Sequence, residues 1–254
     1  MKITFLGTGT SQGVPVVACK CPVCQSDDPR DKRLRSSVMF ECEGKNIVVD
    51  CGPDFRYQML REKVDNIRAV LFTHEHRDHV AGLDDVRSFN WVNKAPVDIY
   101  AETRVLDAVM SMFSYAFKLD NKYPGTPQIN VNIIDENPFY IDSIKITPIR
   151  GMHYFIPVLG YRIGDITYIT DFNKIEDSEI EKLKDSKVLV VNALRKEEHI
   201  SHFTLSEAIE LIQKVNPEKA YITHIGHQMN KHEVEERDLP SNIHFAYDGL
   251  TIEV

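Results

Sequence analysis

The residues most capable of chemistry stand in one short segment, HEHRDH at residues 74–79. The segment follows an apolar run with the composition of a β-strand and precedes a run of helical character that begins at Val80. His74 and His76 are two residues apart, so an extended chain turns both side chains to one side. Unpaired groups of this kind are costly to bury, whereas imidazole and carboxylate bind zinc, iron or manganese. The segment predicts a metal site, and the alternative is a solvated histidine-rich turn.

A second cluster consists of three cysteines: Cys19, Cys21 and Cys24. Thiolates at this spacing close readily around zinc, which takes four tetrahedral ligands in a structural site. The nearby sequence supplies no good fourth ligand, and His227 is the candidate because Gly226 permits a tight turn before it. The odd total of five cysteines argues against a disulfide framework. The two isolated ones, Cys42 and Cys51, are expected to be buried as small hydrophobic residues.

These groups must be positioned by strands and helices that alternate along the chain. Eleven strand-like runs are rich in Val, Ile, Tyr and Phe and end at Gly, Pro, Asp or Asn. Helix-like segments lie between several of them, at residues 54–61, 80–89, 104–117, 177–183 and 205–215. The last begins with the capping pattern of Thr204 and Glu207. This order predicts an α/β protein with two sheets and helices outside them.

Composition is that of a soluble globular protein. The chain has 254 residues, 43% of them apolar, and its 30 basic and 38 acidic residues give a net charge of −8. No apolar run approaches the ~18 residues that a membrane span needs. An acidic balance without basic tracts argues against a stable nucleic-acid partner. The first residues lack the long apolar segment of a signal peptide, so a cytoplasmic location is expected.

Domain organisation is predicted to be simple. The sequence contains no internal repeat, low-complexity tract or flexible linker, so we expect a single domain over residues 1–254. The odd feature is residues 7–35, a long polar stretch without periodicity, which contains the cysteine cluster. Because a structureless loop of this length is unusual in a compact domain, we expect a metal to staple it.

The HxHxDH pattern after a strand resembles the signature of the metallo-β-lactamase superfamily. Further pieces of that pattern occur in the expected order: GTGT at residues 7–10, Asp50 in VVDCG, His153 in GMH, Asp171 in ITD and His224 in TH. The resemblance covers essentially the whole chain. It implies the four-layer αββα sandwich of that superfamily.

The resemblance also implies a dinuclear metal site. The first metal position takes His74, His76 and His153. The second takes Asp78, His79 and His224. Asp171 would bridge both metals, and Asp50 would orient a ligand imidazole. Histidine at position 76 disfavours the diiron oxygen-reducing branch, and aspartate at 171, where some antibiotic-hydrolysing members have cysteine, disfavours a true β-lactamase.

A narrower resemblance comes from four motifs in order: GTGTSQGVPV, CxCxxC, HxHxDH and THIGH. Together they resemble the phosphoribosyl cyclic phosphodiesterase family of the carbon–phosphorus lyase pathway. That family implies a structural zinc, here on Cys19, Cys21, Cys24 and His227, beside the dinuclear site. It also implies a homodimer. The aromatic-rich residues 110–117 could belong to the core or to that interface, and the core is expected.

A third motif, His202-Phe-Thr204, resembles the HxT element of the phosphodiesterase branch, in which the histidine donates a proton to the leaving oxygen. The ordinary pKa of histidine suits this work near neutral pH. His199, two residues upstream, is a competitor for the role, and His202 could instead only pack or cap. Asp78 and His202 are the predicted catalytic residues.

The predicted reaction is hydrolysis of a phosphodiester. Two divalent metals, Zn or Mn, can generate hydroxide and stabilise displacement at phosphorus. Their charge of +4, less three for Asp78, Asp171 and a bridging hydroxide, leaves about +1, which matches a monoanionic diester. The preferred substrate is a small cyclic phosphate of ribose, opened by attack of a metal-bridging hydroxide, with Arg77 or Arg195 balancing charge.

Three other functions are weighed against this one. A ribonuclease Z-like transfer RNA 3′ processing endonuclease would share the metal set and HxT, but the sequence has no Gly- and Lys-rich arm to hold RNA. A non-catalytic metal-binding scaffold is disfavoured by the complete ligand set. A C–O or C–S hydrolase would leave the cysteine cluster and HxT unexplained.

Overall fold

The computed structural model describes residues 1–118 and 123–254, and the strands of these two ranges form two seven-stranded sheets. The first sheet contains β1 (Lys2–Gly7), β2 (Ser37–Cys42), β3 (Lys45–Val49), β4 (Ala69–Leu71), β5 (Val97–Ala101), β6 (Ile129–Ile133) and β14 (Thr251–Glu253). Its order is β14-β1-β2-β3-β4-β5-β6. Neighbours from β14 to β3 are antiparallel, and neighbours from β3 to β6 are parallel.

The second sheet has the same mixed character. It contains β7 (Phe139–Ile141), β8 (Ile144–His153), β9 (Ile156–Ile163), β10 (Ile166–Tyr168), β11 (Val188–Asn192), β12 (Lys219–Thr223) and β13 (Ile243–Phe245). Its order is β13-β12-β11-β10-β9-β8-β7. The parallel strands run from β10 to β13, and the antiparallel strands from β7 to β10.

Helices cover the outer faces. The α-helices are α1 (Phe55–Arg61), α2 (Arg77–Val80), α3 (Arg87–Asn93), α4 (Thr103–Met112), α5 (Ser114–Phe117), α6 (Asp177–Leu183), α7 (Leu205–Val215) and α8 (His232–Glu236). Single 3-10 turns occupy Pro29–Asp31, Leu83–Val86 and His227–Met229. The capping box predicted for α7 is present, since Thr204 accepts from the backbone of Glu207 and Glu207 accepts from the backbone of Thr204. No helix in the described part of the chain is both long and apolar enough to cross a bilayer.

The apolar residues form layers that hold the two sheets together. One cluster lies between the sheets and includes Phe5 and Phe40 from the first and Tyr161 from the second. The others lie between each sheet and its helices. In β11 alternate residues enter different clusters, so Val190 faces the other sheet and Leu189 faces the helices. Strands covered on both faces are apolar throughout. The predicted four-layer α/β architecture is confirmed.

Several sequence-based boundaries were wrong in detail. The helix expected over 104–117 is two helices, broken at Phe113. The expectation that residues 110–117 belong to the core is right only in part, since Phe113 is buried, Phe117 is partly buried and Tyr115 is 40% exposed. The single helix expected over 80–89 is three short elements: the end of α2 at Val80, the 3-10 turn Leu83–Val86 and the start of α3 at Arg87. Cys51 is buried as expected, whereas Cys42 is only partly buried. Strands β6, β7 and β14 were missed because they are edge strands, where fewer apolar residues are needed.

Candidate metal centres

The chemically capable residues lie where strands end. The HEHRDH segment leaves β4 and enters α2, so that His74 and His76 lie in the loop and Asp78 and His79 in the helix. Three further positions come from separate strands: His153 ends β8, Asp171 follows β10, and His224 follows β12. Ends of neighbouring strands share one edge of a sheet, which is a rigid support for a site.

Two glycines allow these segments to approach one another. A Cβ atom on Gly52 would stand 1.9 Å from the carbonyl oxygen of Asp78. A Cβ on Gly151 would stand 2.1 Å from the ring of Phe172, the residue after Asp171. Both distances are far below van der Waals contact. Only glycine therefore lets α2 pack on the end of β3 and lets the Asp171 turn pack on β8.

The first predicted ligand set is brought together. One ring nitrogen from each of His74, His76 and His153 lies within 4.8 Å of the others. The ring centroids of His74 and His76 are 4.6 Å apart, and those of His76 and His153 are 5.0 Å apart. Three imidazoles from two distant parts of the chain therefore face one small volume.

The second predicted set gathers around His79. Its Nε2 lies 3.1 Å from Oδ2 of Asp78 and 3.2 Å from Oδ2 of Asp171. The same Asp171 oxygen is 3.2 Å from Nδ1 of His224. Asp171 also groups with His74 and His79 on one side and with His153 and His202 on the other. Its carboxylate thus lies between the two sets, where a bridging ligand would stand.

Hydrogen bonds fix the orientation of the imidazoles from the HEHRDH segment. Nδ1 of His79 donates to Asp50 Oδ2 at 2.6 Å. The Thr73 hydroxyl donates to the same carboxylate at 2.9 Å, which leaves its oxygen free to accept from Nδ1 of His74 at 3.0 Å. Because Nδ1 is the donor in both rings, the lone pair stands on Nε2.

The rings of His153 and His224 are likewise oriented by a hydrogen bond at Nδ1. Nδ1 of His153 donates to the carbonyl oxygen of Ser201 at 2.7 Å. The hydroxyl of Ser36 donates to the Gly9 carbonyl and accepts from Nδ1 of His224 at 3.1 Å. In all four histidines Nδ1 is therefore the nitrogen that the protein holds, and Nε2 is the nitrogen left for another partner. The sequence predicted no role for Ser36, Thr73 or Ser201, although Thr73 adjoins the predicted ligand His74 and Ser201 adjoins His202.

These inward nitrogen atoms fit a metal. Within residues 1–118 and 123–254, Nε2 of His74 and of His224 is buried without a hydrogen-bond partner, and Nε2 of His79 has close to it only the carboxylate oxygens of Asp78 and Asp171 without a well-aligned hydrogen bond. A buried polar atom without a partner is costly. Imidazole lone pairs converging with two carboxylates are the donor set of a zinc, manganese or iron site. The residues present fit the divalent metal that the fold implies.

The buried carboxylates of the cluster favour a positive charge beside them, as the pKa values of His79 and Asp171 indicate. Burial alone would lower the pKa of His79, but Asp171, Asp78 and Asp50 raise it well above its ordinary value. Burial would raise the pKa of Asp171, yet His224 and His79 hold it well below its ordinary value. The carboxylates therefore stay ionised and attract a cation at this position, whether a proton or a metal.

His202 lies against the same cluster. Its ring stacks on that of His224 with centroids 4.8 Å apart, and its Nδ1 is 3.7 Å from Asp171 Oδ1. Burial and the neighbouring His224 lower the pKa of His202 to about 2. His199 lies behind it, with ring centroids 5.1 Å apart. Of the two competing histidines, His202 is thus the one that contacts the ligand set.

The arginines expected to balance charge are less well placed. Arg77 is exposed at the start of α2. The guanidinium of Arg195 donates to the carbonyl oxygens of Glu197 and Glu198 in its own loop. The glutamate of the HEHRDH segment, Glu75, pairs with Arg104. Among the described residues, neither Arg77 nor Arg195 makes a hydrogen bond or an ion pair with the histidine cluster.

The three clustered cysteines lie around the ring of His227, the fourth ligand expected from the sequence. The sulfur atoms of Cys19, Cys21 and Cys24 lie 3.3, 3.4 and 3.5 Å from Nδ1 of His227. Burial opposes ionisation of Cys21, but the Cys24 backbone N–H and His227 lower its pKa to about 6. The thiolate form that binds zinc is therefore accessible near neutral pH. The predicted set of three sulfurs and one imidazole is assembled across more than 200 residues of sequence.

Comparison with known proteins agrees with this geometry. The family model described as "Beta-lactamase superfamily domain" matches residues 45–225. A crystal structure of a diphosphatase from the PhnP family is 37% identical in sequence and superimposes with a TM-score of 0.93. The match covers 100% of this chain and 97% of the diphosphatase chain. The crystal structure of human tRNase Z, short form, matches 100% of this chain and 99% of the tRNase Z chain with a TM-score of 0.71. At 20% identity this match shows a common fold alone.

Two curated relatives extend the comparison. An octanoyltransferase of Porphyromonas gingivalis is 42% identical over 253 residues, which are 98% of this chain and 51% of that protein. A ribonuclease Z of Gloeothece citriformis is 29% identical over 171 residues, covering 65% of this chain and 47% of that protein. The chain spans about half the length of the curated relatives it matches.

Proposed function

The chain belongs to the beta-lactamase superfamily and to the PhnP family within it, and on that premise we propose that it is a dinuclear metal-dependent phosphodiesterase. Its preferred substrate is a small cyclic phosphate of ribose. One observation carries this proposal: four histidines gathered around the carboxylate of Asp171 each have Nδ1 hydrogen-bonded to a protein oxygen, namely His74, His79, His153 and His224. Histidines that bind a metal are typically oriented by such a hydrogen bond on the other ring nitrogen.

Seven side chains would hold the two metals. His74, His76 and His153 would hold the first. Asp78, His79 and His224 would hold the second, and Asp171 would bind both. When bound there, two divalent metals supply positive charge and acidify a water molecule at neutral pH. Zinc and manganese both suit these ligands.

Charge favours a phosphodiester over a neutral ester. The two carboxylates, Asp78 and Asp171, do not cancel the charge of two divalent cations, so the site retains a net positive charge. A monoanionic diester is attracted to such a site, whereas a lactone or thioester gains less. The buried position strengthens this attraction because water does not screen it.

His202 is the proposed proton donor to the leaving oxygen. Its buried ring contacts His224 and lies near the Asp171 carboxylate, so it borders the place where the diester would sit. Burial lowers the pKa of His202 in the free protein, and the negative charge of a bound diester would favour the protonated ring that this role requires. His199 can hold the ring in place from behind.

The cysteine cluster is the proposed structural zinc site. Residues 8–10 run beside residues 224–226, since Ile225 N donates to Thr8 O and Thr10 N donates to Ile225 O. His227 follows His224 by three residues, so one short segment would serve both metal centres. Zinc on Cys19, Cys21, Cys24 and His227 would then pin residues 7–35 to the wall that carries His224.

The proposal is tested by metal analysis combined with a substrate panel. The panel contains a ribose cyclic phosphate, a linear phosphodiester, a diphosphate, a lactone and precursor transfer RNA. We expect three metals per chain, turnover of the cyclic phosphate, and a loss of at least about 100-fold in kcat for His202→Ala. His244→Ala, a histidine hydrogen-bonded to Glu236, is the control.

Each other outcome has a definite meaning. Selective cleavage of precursor transfer RNA would favour the ribonuclease Z-like alternative, which the similarity to that family supports. A preference for the diphosphate would narrow the chemistry to phosphoanhydrides. Absence of any hydrolysis at full metal occupancy would favour a metal-binding scaffold. The homodimer stays a prediction, checked by sedimentation of the metal-loaded protein.

A further inference from the structure

The chain at the end of β11 is a buried segment whose side chains are not among the proposed metal ligands. It begins with Asn192, the last residue of the strand, and continues through Ala193 and Leu194. We call these three residues the β11 end. All three are buried, and the first two are 0% exposed. A side-chain amide that is fully removed from water needs partners inside the protein, and those of Asn192 lie in the turn that carries Asp171.

The amide of Asn192 holds both polar backbone groups of a single residue, Phe172. The N–H of Phe172 donates to Oδ1 of Asn192 at 2.8 Å, and Nδ2 of Asn192 donates to the carbonyl oxygen of Phe172 at 2.9 Å. Phe172 directly follows Asp171, which has a φ of 63°, in the left-handed region that non-glycine residues seldom adopt. Such a conformation persists where its surroundings fix it. The Asn192 amide fixes the residue on its C-terminal side.

The same carbonyl oxygen also reaches the turn of His202. The backbone N–H of Phe203, which follows His202, donates to Phe172 O at 2.8 Å. The carbonyl oxygen of Phe203 in turn accepts from the N–H of Leu194 at 3.1 Å. The backbone next to His202 is therefore held on both sides, by the clamped Phe172 and by the β11 end.

The β11 end also borders the turn of His224. The N–H of Ala193 donates to Thr223 O at 2.9 Å, and Leu194 O accepts from the N–H of Gly226 at 2.9 Å. His224 lies between these two bonds and has a φ of 55°, again in the left-handed region. Three site residues from three separate turns are therefore held by one buried segment. The contacts of its asparagine come from a side chain, so a substitution removes them.

We propose that Asn192 is a positioning residue that sets the distance between the carboxylate of Asp171 and the ring of His202. This inference rests on the proposed function, in which these two residues bridge the metals and donate the proton. Nδ1 of His202 lies 3.7 Å from Oδ1 of Asp171. A displacement of about 1 Å between reacting groups can lower a rate about 100-fold. Asn192 acts on both residues through the backbone of Phe172.

Replacement by leucine tests the proposal, because Asn192→Leu keeps the approximate size of the side chain and removes both hydrogen bonds to Phe172. The matched control is Asn90→Leu. Asn90 is a buried residue of α3 that holds the N–H and carbonyl oxygen of Gln128 in the same way, at 2.9 and 3.0 Å. Its Nδ2 also donates to Ala95 O. The control should therefore lower the Tm of the metal-free protein at least as much as Asn192→Leu does.

A second pair of variants covers the case in which a leucine variant does not fold. Asn192→Ala and Asn90→Ala open a space that admits water to the freed peptide groups, so the loss of stability should be smaller. The positions of Asp171 and His202 should still change in the first of these variants, because a water molecule does not fix the Phe172 backbone as a covalently held amide does.

Manganese-loaded protein provides a readout besides activity. Two Mn²⁺ ions that share the Asp171 carboxylate are exchange-coupled, and their electron paramagnetic resonance spectrum differs from that of separate ions. The coupled spectrum is expected for the wild type and Asn90→Leu and should be largely replaced by that of separate ions in Asn192→Leu. Metal affinity should fall about 10- to 100-fold in this variant alone. Its kcat should fall about 10- to 100-fold with KM changed less than about twofold, since positioning rather than substrate binding is lost.

Amide hydrogen exchange of the metal-free protein distinguishes this inference from the proposed function. The Phe203 N–H donates to Phe172 O and not to Asn192 itself, yet it should exchange faster in Asn192→Leu because its acceptor has lost the clamp. If the wild type shows no coupled pair and no hydrolysis but this exchange effect is present, the proposed function fails and the positioning role stands.

Two results would overturn the positioning role. One is an exchange rate of the Phe203 N–H that is the same in the wild type and in both Asn192 variants. The other is hydrolysis of diesters by a folded Asn192 variant with the coupled spectrum and the kcat of its Asn90 counterpart. In the second case the proposed function stands and the positioning role alone fails.

Discussion

Nδ1 of His79 and Oδ2 of Asp50 lie 2.6 Å apart, and both side chains are completely buried. Asp50 also accepts from the backbone N–H and hydroxyl of Thr73, and that hydroxyl accepts from His74. A single carboxylate therefore orients one imidazole from each of the two proposed metal positions. Asp50 directly follows β3 and has a backbone φ of 63°. This left-handed conformation directs the carboxylate back into the site.

The first prediction concerns this carboxylate. In Asp50→Asn, the neutral amide is a weaker acceptor for His79 Nδ1–H, so the tautomer that leaves Nε2 free is less favoured. Loss of a group that orients a metal ligand lowers metal affinity about 10- to 100-fold. Metal retained after dialysis against graded chelator measures the change. Asp98→Asn, which removes a charge from the partly buried pair with Arg68, is the control and should retain its metals. Equal retention by the two variants would contradict the orienting role.

The second prediction concerns removal of the metals. Stripping them with a chelator leaves inward imidazole nitrogens without partners and buried carboxylates without a counter-charge. Since ligands that bind only the native state stabilise it, the Tm should fall by at least about 5 °C. Re-addition of zinc or manganese should restore it. A Tm that is the same before and after stripping would show that the cluster needs no metal.

The third prediction concerns the cysteine cluster. Cys21→Ser replaces one of three sulfurs around His227 and should release one zinc per chain. Residues 7–35 should then exchange amide hydrogen faster, and kcat should fall because this stretch packs beside residues 224–226. Cys42→Ser, an isolated and partly buried cysteine, is the control. A lost zinc with an unchanged rate would show that the staple and the reaction are independent.

The fourth prediction concerns pH. His232 is buried against Arg33, with Nδ1 3.2 Å from the guanidinium. Burial, Arg33 and Arg30 lower the pKa of His232 to about 4, against the opposing charges of Glu236 and Asp28. Because this pKa is depressed on folding, its stabilisation is complete above about pH 6.5 and is lost as the pH falls toward 4.

Urea unfolding at pH 7.5 and pH 5 measures this effect. The wild type should lose about 2 kcal/mol more than His232→Gln over this interval, which follows from the two pKa values. The glutamine can still accept from Arg33, and the backbone N–H of residue 232 still donates to Asp31. Parallel losses in the two proteins would mean that His232 titrates normally.

The sequence alone was sufficient for the chemistry that depends on local spacing. The HEHRDH segment after an apolar strand predicted a metal site because two-residue and three-residue spacings decide which side chains share a face. The CxCxxC spacing predicted a zinc cluster for the same reason. The alternation of strands and helices predicted the layered α/β fold, since each buried strand must be apolar.

Only the tertiary structure decided which distant groups meet. Nothing in local spacing links Ser36 to His224 or Ser201 to His153, yet these contacts set the tautomers of two ligands. Which of the two rings, His199 or His202, lies against Asp171 likewise depended on the turn before α7. Contacts between segments far apart in the chain arise from the packing of the two sheets, and that packing depends on the whole core rather than on any single motif.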